Sequence, residues 1–573
     1  MSNQSQQFTQ QEKYFAFLFF FFLLVYRAPE LLWMPRFWAE EASLFFATAF
    51  EQGFWAGLFN IPVYTAGYIS LLANLASSLA TLVPLEYAPF VNTYFALLFT
   101  LIPVALLLWG SSYLWDSAWQ KLLAASMVIL ISANISAPHE VWLNVTNSQV
   151  FCGVISAVIL FERLQGLSLK ARWLYRGLLI FCGLSGVYTT FLGPGFFIKM
   201  WLERSRESVI HFLLVSFTAL IQVSIFIYLK THNLLSLAKT TEFDLWTALL
   251  SLLKYHVLSP LVGYKNMLSL TAWLNQHFIL GLCLAGILIF ILSIWLFQQR
   301  RSLSPYFWLL LILFPLLSLL VTYGAMRHVP GGRYMVLPGL FILWFIISLL
   351  SVQSISSNQT VYFLSIRPLW LNMIILFIII NMLTHYKEGN YLAYQKTTPL
   401  WGNEIHAWTN NPDKLITVWP APRWKMYLNN PELFNKTRHI LNKVFPENFT
   451  CTPAGTEKSI SIPGLPVDFY FWIQFQSEKI KNCHVKLQLI DKMDKVVHEA
   501  VLTPYINKQG IFKRRSLKMP FTIKNWQKRE YQYHQVKKLN LKLVSKTEQS
   551  FMIQIKAMRI MLFSKNIFTR YSY

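Results

Sequence analysis

Apolar stretches about as long as a bilayer is thick recur through the first two-thirds of this chain. They fall at residues 14–34, 88–110, 120–137, 149–162, 174–200, 209–229, 276–298, 306–323, 335–352 and 369–385. A helix rises about 1.5 Å per residue, so about 20 apolar residues cross the roughly 30 Å hydrocarbon core. Charged residues make up only 13% of the chain, where a soluble domain carries about a quarter. These runs predict an α-helical polytopic membrane bundle of about 10–11 spans over residues 1–385. The run 14–26 follows a polar head with no small-residue cleavage site after it and reads as a retained first span. The run 174–200 is expected to break at Ser185-Gly186 and at Gly193-Pro194-Gly195.

Lysine and arginine in short loops set orientation. The loops 163–176, 199–206 and 300–301 are basic and are assigned to the cytoplasm. The segments around Glu40-Glu41, His139-Glu140, residues 230–275 and Arg327–Arg333, and everything after 386, then fall on the opposite side. This parity requires 35–87 to be one external juxtamembrane segment, with 63–83 lying in the interface or dipping in and out. The small residues of 63–83 suit close packing better than contact with lipid.

The last third differs. Residues 387–573 hold 30 Lys and Arg against 13 Asp and Glu. A basic domain on a membrane protein suits anionic headgroups or glycolipid, or it is a solvated face without a ligand; no nucleic-acid partner is expected. Alternating runs at 467–475, 485–490, 539–544 and 551–563 have the period of strands. Residues 386–459 are expected to be a mixed linker, and 460–573 a β-rich, sandwich-like soluble domain outside the cytoplasm. There Cys451 and Cys483 could be bonded or free.

Three polar constellations sit at expected helix ends. Glu40-Glu41 places two carboxylates beside a membrane face, which is costly unless they are paired or used; one of them can take a proton from a hydroxyl or ligate a divalent metal. The same pair also fits an amphipathic interfacial helix with both acids in water. The stretch 136–151 breaks at Pro138, then carries His139, Glu140, Asn144, Thr146, Asn147, Ser148 and Gln149. Such groups suit sugar hydroxyls, an internal polar network, or helix capping. Asn144-Val145-Thr146 also fits a glycosylation sequon. In the third, Arg327, His328, Arg333 and Tyr334 surround Pro330-Gly331-Gly332; arginines there clasp a phosphate or snorkel to headgroups. Arg27, Arg36, Lys254, His256, Tyr264 and Lys265 can each meet an anionic headgroup. No P-loop, GxGxxG, HExxH or GxSxG occurs, so nucleotide-driven and serine-hydrolase chemistry has no visible support.

In order, FWAEEASLFFATAFEQGF, YTAGYISLLANLASSLATLVP, PHEVWLNVTNSQ, LSGVYTTFLGPGFF and GGRYMVLPGL resemble the GT-C class of integral membrane glycosyltransferases. The resemblance spans residues 37–340. It implies transfer of a sugar from a polyprenyl-phosphate donor to an envelope glycan, lipid or protein acceptor on the extracytoplasmic face of the cell membrane. Glu40 or Glu41 would be base or metal ligand, although most members carry an Asp there. Arg327 and Arg333 would hold the phosphate, and Asn144, Asn147 and Gln149 would orient the sugar. The competing expectations are a transporter or flippase for lipid-linked substrates, and a glycan ligase or polymerase. The ligase would centre on Arg327, His328 and Arg333 without needing the glutamates.

Overall fold

The computed structural model describes residues 8–61, 67–131, 142–231, 249, 252–277, 303–325, 332–353, 367–384, 386, 400–410, 415–419, 424–426 and 428, and the strand residues between 447 and 562 named below. Two compact units divide at Gly402/Asn403, later than the boundary at 385 expected from the apolar runs. Trp401 explains the difference: its indole donates to the Leu85 carbonyl at 3.0 Å and its ring meets Phe37 edge-on at 5.4 Å.

The first unit is helical. Leu85–Trp109, Arg206–Thr231 and Arg333–Leu350 are long and apolar enough to cross a membrane. Other expected spans form shorter apolar helices, among them Ala118–Leu130 and Gln149–Phe161. The first run is the 18-residue helix Gln10–Arg27, started by a reciprocal Thr9–Glu12 capping box. The expected span 276–298 lies, beyond its first two residues, outside the described residues.

The 174–200 run does break after Gly183, where the Leu169–Gly183 helix ends. It breaks again at Leu192, between the Tyr188–Phe191 helix and the Gly193–Glu203 helix that Gly193-Pro194-Gly195 starts. A proline in the first turn lacks only an N–H that would have no helical partner. Residues 71–80 of the small-residue segment form a ten-residue helix, about 15 Å long and too short to cross alone. Its Ala73, Asn74, Ala76, Ser77 and Ser78 are buried.

Polar contacts order the helix ends. At one end, Trp109 packs edge-on against Tyr14 and Phe17, and the Tyr113 N–H donates to Phe161 carbonyl at 2.9 Å. There Lys199 Nζ donates to the carbonyls of Ile159 and Glu162 at 3.2 and 2.5 Å, Tyr306 donates to Glu203 at 2.7 Å, and Arg176 pairs with Glu207. The basic 163–176 loop therefore belongs to this end. The segments 38–41, 67–70, 142–149, 184–188 and 332–335 lie at the other.

Three cationic or titratable side chains expected at headgroups are buried instead: Arg27, Arg36 and His256. Arg27 lies 3.7 Å from the Trp142 ring centroid and 4.7 Å from that of Tyr386, and donates to Ile129 carbonyl at 3.0 Å. Two π faces and a carbonyl replace the water such a charge needs.

In the second unit, one antiparallel four-stranded sheet runs in the order Glu447–Cys451, Phe551–Leu562, Phe469–Phe475, Leu517–Met519. A second runs Thr456–Ser461, Val536–Ser545, Cys483–Asp491, Val496–Leu502. Cys451 and Cys483 thus belong to different sheets. A short pair, Ile416–Val418 with Trp424–Met426, precedes them.

Gly153 marks close packing near the polar end. A Cβ there would stand 2.6 Å from Tyr188 Cβ and 3.0 Å from Leu337 Cδ2. Gly153→Val should destabilise the helical unit by about 1–3 kcal/mol, read as a lower Tm in detergent; an unchanged Tm would contradict this packing.

Candidate functional site

The first acidic pair sits on an irregular turn. Ala39 has φ +30°, a region rarely occupied by residues with a Cβ. Residues Glu41–Phe46 then wind as a π-helix, a form that is rare and frequent at functional sites. The two acids part company here. Glu41 is 1% exposed; its Oε2 accepts the Trp38 N–H at 2.7 Å and its Oε1 accepts the Val145 N–H at 2.5 Å. It ties two segments 104 residues apart. Glu40 is half-buried.

The segment that Glu41 holds carries the amides. Leu143 also has positive φ, +54°. Asn144 Oδ1 then accepts the Asn147 N–H at 2.9 Å, and its carbonyl accepts the Ser148 hydroxyl at 2.7 Å. These bonds wind the turn into the Gln149–Phe161 helix. They also bury Asn144 to 3% exposure, so the sequon is not presented at a surface. Of the three non-glycine residues with positive φ among those described, two flank this site. Strain of this kind persists only where surrounding bonds hold it.

Arg333 enters from a short 3-10 turn ahead of the Val336–Gln353 helix. Its Nη1 donates to Asn147 Oδ1 and its Nη2 to the Tyr334 hydroxyl at 3.0 Å. Tyr188 Oη donates to the Arg333 carbonyl at 3.4 Å. Gln149 Nε2 donates to the Tyr68 hydroxyl at 2.8 Å. Gln149 lies over Gly186, whose φ is +126° and where a Cβ would fall 2.9 Å from that of Gln149.

Tyr68 was not among the residues the sequence singled out. It sits in the charge fields of both Arg333 and Glu40, and burial, the largest influence, pushes its hydroxyl up to about 12. A tyrosine ahead of a small-residue helix carries no pattern that marks a site. Only folding across the 81 residues between it and Gln149 does so.

Glu40, Glu41, Asn144, Asn147, Gln149, Arg333 and Tyr334 are therefore gathered at one end of the helices. His139, Glu140, Arg327 and His328 lie outside the described residues. Among the described residues no group of three or more His, Cys, Asp and Glu is arranged to hold a metal ion. Both Glu41 oxygens take backbone N–H groups, and Glu40 is the more exposed acid of the pair.

Comparison with family models, with curated proteins and with solved structures finds no match for this chain.

Burial raises the Glu41 carboxyl to about 8, outweighing the backbone N–H groups of Trp38, Val145 and Thr146 that favour its anion. A carboxyl raised in the folded state stabilises fully at pH below its ordinary value and loses that contribution as pH rises towards the folded value. Thermal stability should therefore decline between pH 5 and pH 8 through Glu41, and Glu41→Gln should lack that component. Parallel Tm–pH curves for the two proteins would contradict the assignment.

Proposed function

We propose that the chain is a GT-C-type membrane glycosyltransferase. It moves a sugar from a polyprenyl-phosphate donor to an envelope glycan, lipid or protein acceptor on the extracytoplasmic face of the cell membrane. The observation that carries this reading is the meeting, at the end of the bundle away from the 163–176 loop, of a glutamate pair, three amides and an arginine drawn from three distant segments. The basic character of the far end, with Arg163, Lys170, Arg172, Arg176, Arg204 and Arg206, favours the cytoplasm for that end. The site end then faces outward. The two four-stranded sheets are read as an outward sandwich-like module.

In this reading the donor enters sideways from the bilayer. Arg333 binds its phosphate in a charge-assisted contact, held in aim by Asn147 and Tyr334. Glu40 accepts the proton of the acceptor hydroxyl as that oxygen attacks the anomeric carbon. The bond from that carbon to the phosphate oxygen breaks with its electron pair on the phosphate, and configuration inverts. Glu41 acts by holding the Val145 segment against Trp38, not by taking the proton. A divalent ion, if bound, would supply Lewis-acid help at the phosphate with Glu40 as its ligand.

General-base catalysis contributes about 100- to 10,000-fold. Glu40→Gln should lower transfer from membrane polyprenyl-phosphate sugar by that order while the protein stays folded. Glu40→Gln combined with Glu41→Gln should abolish it; full activity in the double variant would rule the mechanism out. A ligase centred on the arginines would instead lose activity with Arg333→Ala and keep it in the glutamate variants.

A further inference from the structure

Beyond the matched pairs at the basic end of the helices, three cations face outward. Lys170 lies in the first turn of the Leu169–Gly183 helix. Arg204 joins the Gly193–Glu203 helix to Arg206–Thr231, which Arg206 starts. All three are exposed, and no ion pair among the described residues engages them. Arg204 takes φ +50°, a left-handed turn after a helix where glycine is the usual occupant. Its N–H donates to the Met200 carbonyl at 2.9 Å. Ser205 and Ser208 brace the turn, each hydroxyl accepting the other's N–H at 3.2 Å. A guanidinium is thus held where the backbone would sooner carry no side chain.

One carboxylate sets the level of these cations. Glu207 accepts Nε and Nη2 of Arg176 at 3.2 and 2.5 Å and stands 3.8 Å from Arg172 Nη1. The Leu169–Gly183 and Arg206–Thr231 helices, which pack on each other, therefore begin side by side. The other acid nearby, Glu203, is taken by Tyr306 and Lys199. Five cations are so gathered around one carboxylate, Glu207, and the excess is positive.

Apolar surface continues from the cations along the same helices. Trp173 and Trp201 are 62% and 63% exposed beside the charges, the level at which indoles anchor at a membrane interface. One to three turns further in, Leu174, Leu213 and Phe217 are exposed as well. A soluble anion would use only the cations. A charged amphiphile would use both surfaces.

We propose that this end of the bundle binds an anionic phospholipid, its phosphate held by Lys170, Arg204 and Arg206 and its acyl chains lying along the outward faces of the same helices. Basic clusters between membrane helices attract such headgroups, and Arg172 and Arg176 serve by pinning the two helices through Glu207. The proposal is independent of the transfer chemistry at the other end.

The test titrates the full chain in detergent with phosphatidylglycerol and with phosphatidylcholine of the same acyl chains. Bound lipid is read by native mass spectrometry, and Tm is recorded for every protein. The wild type should bind phosphatidylglycerol roughly tenfold or more tightly than phosphatidylcholine, with the preference shrinking at high salt. A cation near a lipid surface is worth about fivefold in affinity. Arg204→Gly, which relieves the backbone as it removes the charge, should weaken phosphatidylglycerol binding about fivefold without lowering Tm. Lys170→Gln, Arg204→Gly and Arg206→Gln together should weaken it about 100-fold. Lys230→Gln, at the exposed far end of the same helix, should change nothing. Equal binding of the two lipids by the wild type, or a loss with Lys230→Gln as large as with Arg204→Gly, overturns the proposal. So does undiminished binding by Arg204→Gly, which decides the matter should the triple variant not fold. Displacement of the lipid by an equal concentration of glycerol phosphate would overturn the part given to the acyl chains.

Discussion

The polar end of the bundle depends on a single carboxyl group. Two irregular segments, each with a residue in left-handed backbone geometry, must lie side by side where neither helix nor sheet can satisfy their N–H groups. Glu41 satisfies one N–H from each, at Trp38 and Val145. Unpaired buried amides cost about 1–3 kcal/mol apiece, so without this acceptor the turn at 38–41 and the segment at 142–149 have no reason to meet. Once they meet, Asn147 is in place to receive Arg333, and the third segment follows.

The two ends of the helical unit solve different electrostatic problems. Away from the site, charges are matched locally: Arg163 with Asp116, Arg176 with Glu207, Lys199 with Glu203 and two helix-end carbonyls. At the site end the Arg333 guanidinium bonds the Asn147 amide oxygen and the Tyr334 hydroxyl.

Much of this was legible in the sequence, and the reason lies in where polar residues fall. Apolar runs located the described helices at 88–109, 149–161 and 206–231 because lipid-facing and bundle-facing residues are both apolar there. Glu40-Glu41, 144–149 and Arg333 stood out because polar density at a helix end is unusual. What stayed hidden required contacts between distant parts of the chain. Adjacent glutamates look alike until Ala39 turns the backbone and sends Glu41 inward. Arg27 looks like an interfacial cation until Trp142 and Tyr386 cover it. Tyr68 becomes a site residue only through Gln149, and the unit boundary moves to Gly402 only because Trp401 reaches Leu85.

The most direct measurement asks whether the acid pair and the late arginine share one rim. In a chain whose five native cysteines are replaced by serine, Glu40→Cys combined with Arg333→Cys would be treated in membranes with a short bifunctional thiol reagent. The account predicts an intramolecular cross-link between positions 40 and 333, and none when Arg163→Cys replaces Arg333→Cys. A cross-link from position 40 to position 163, with none to 333, would contradict it.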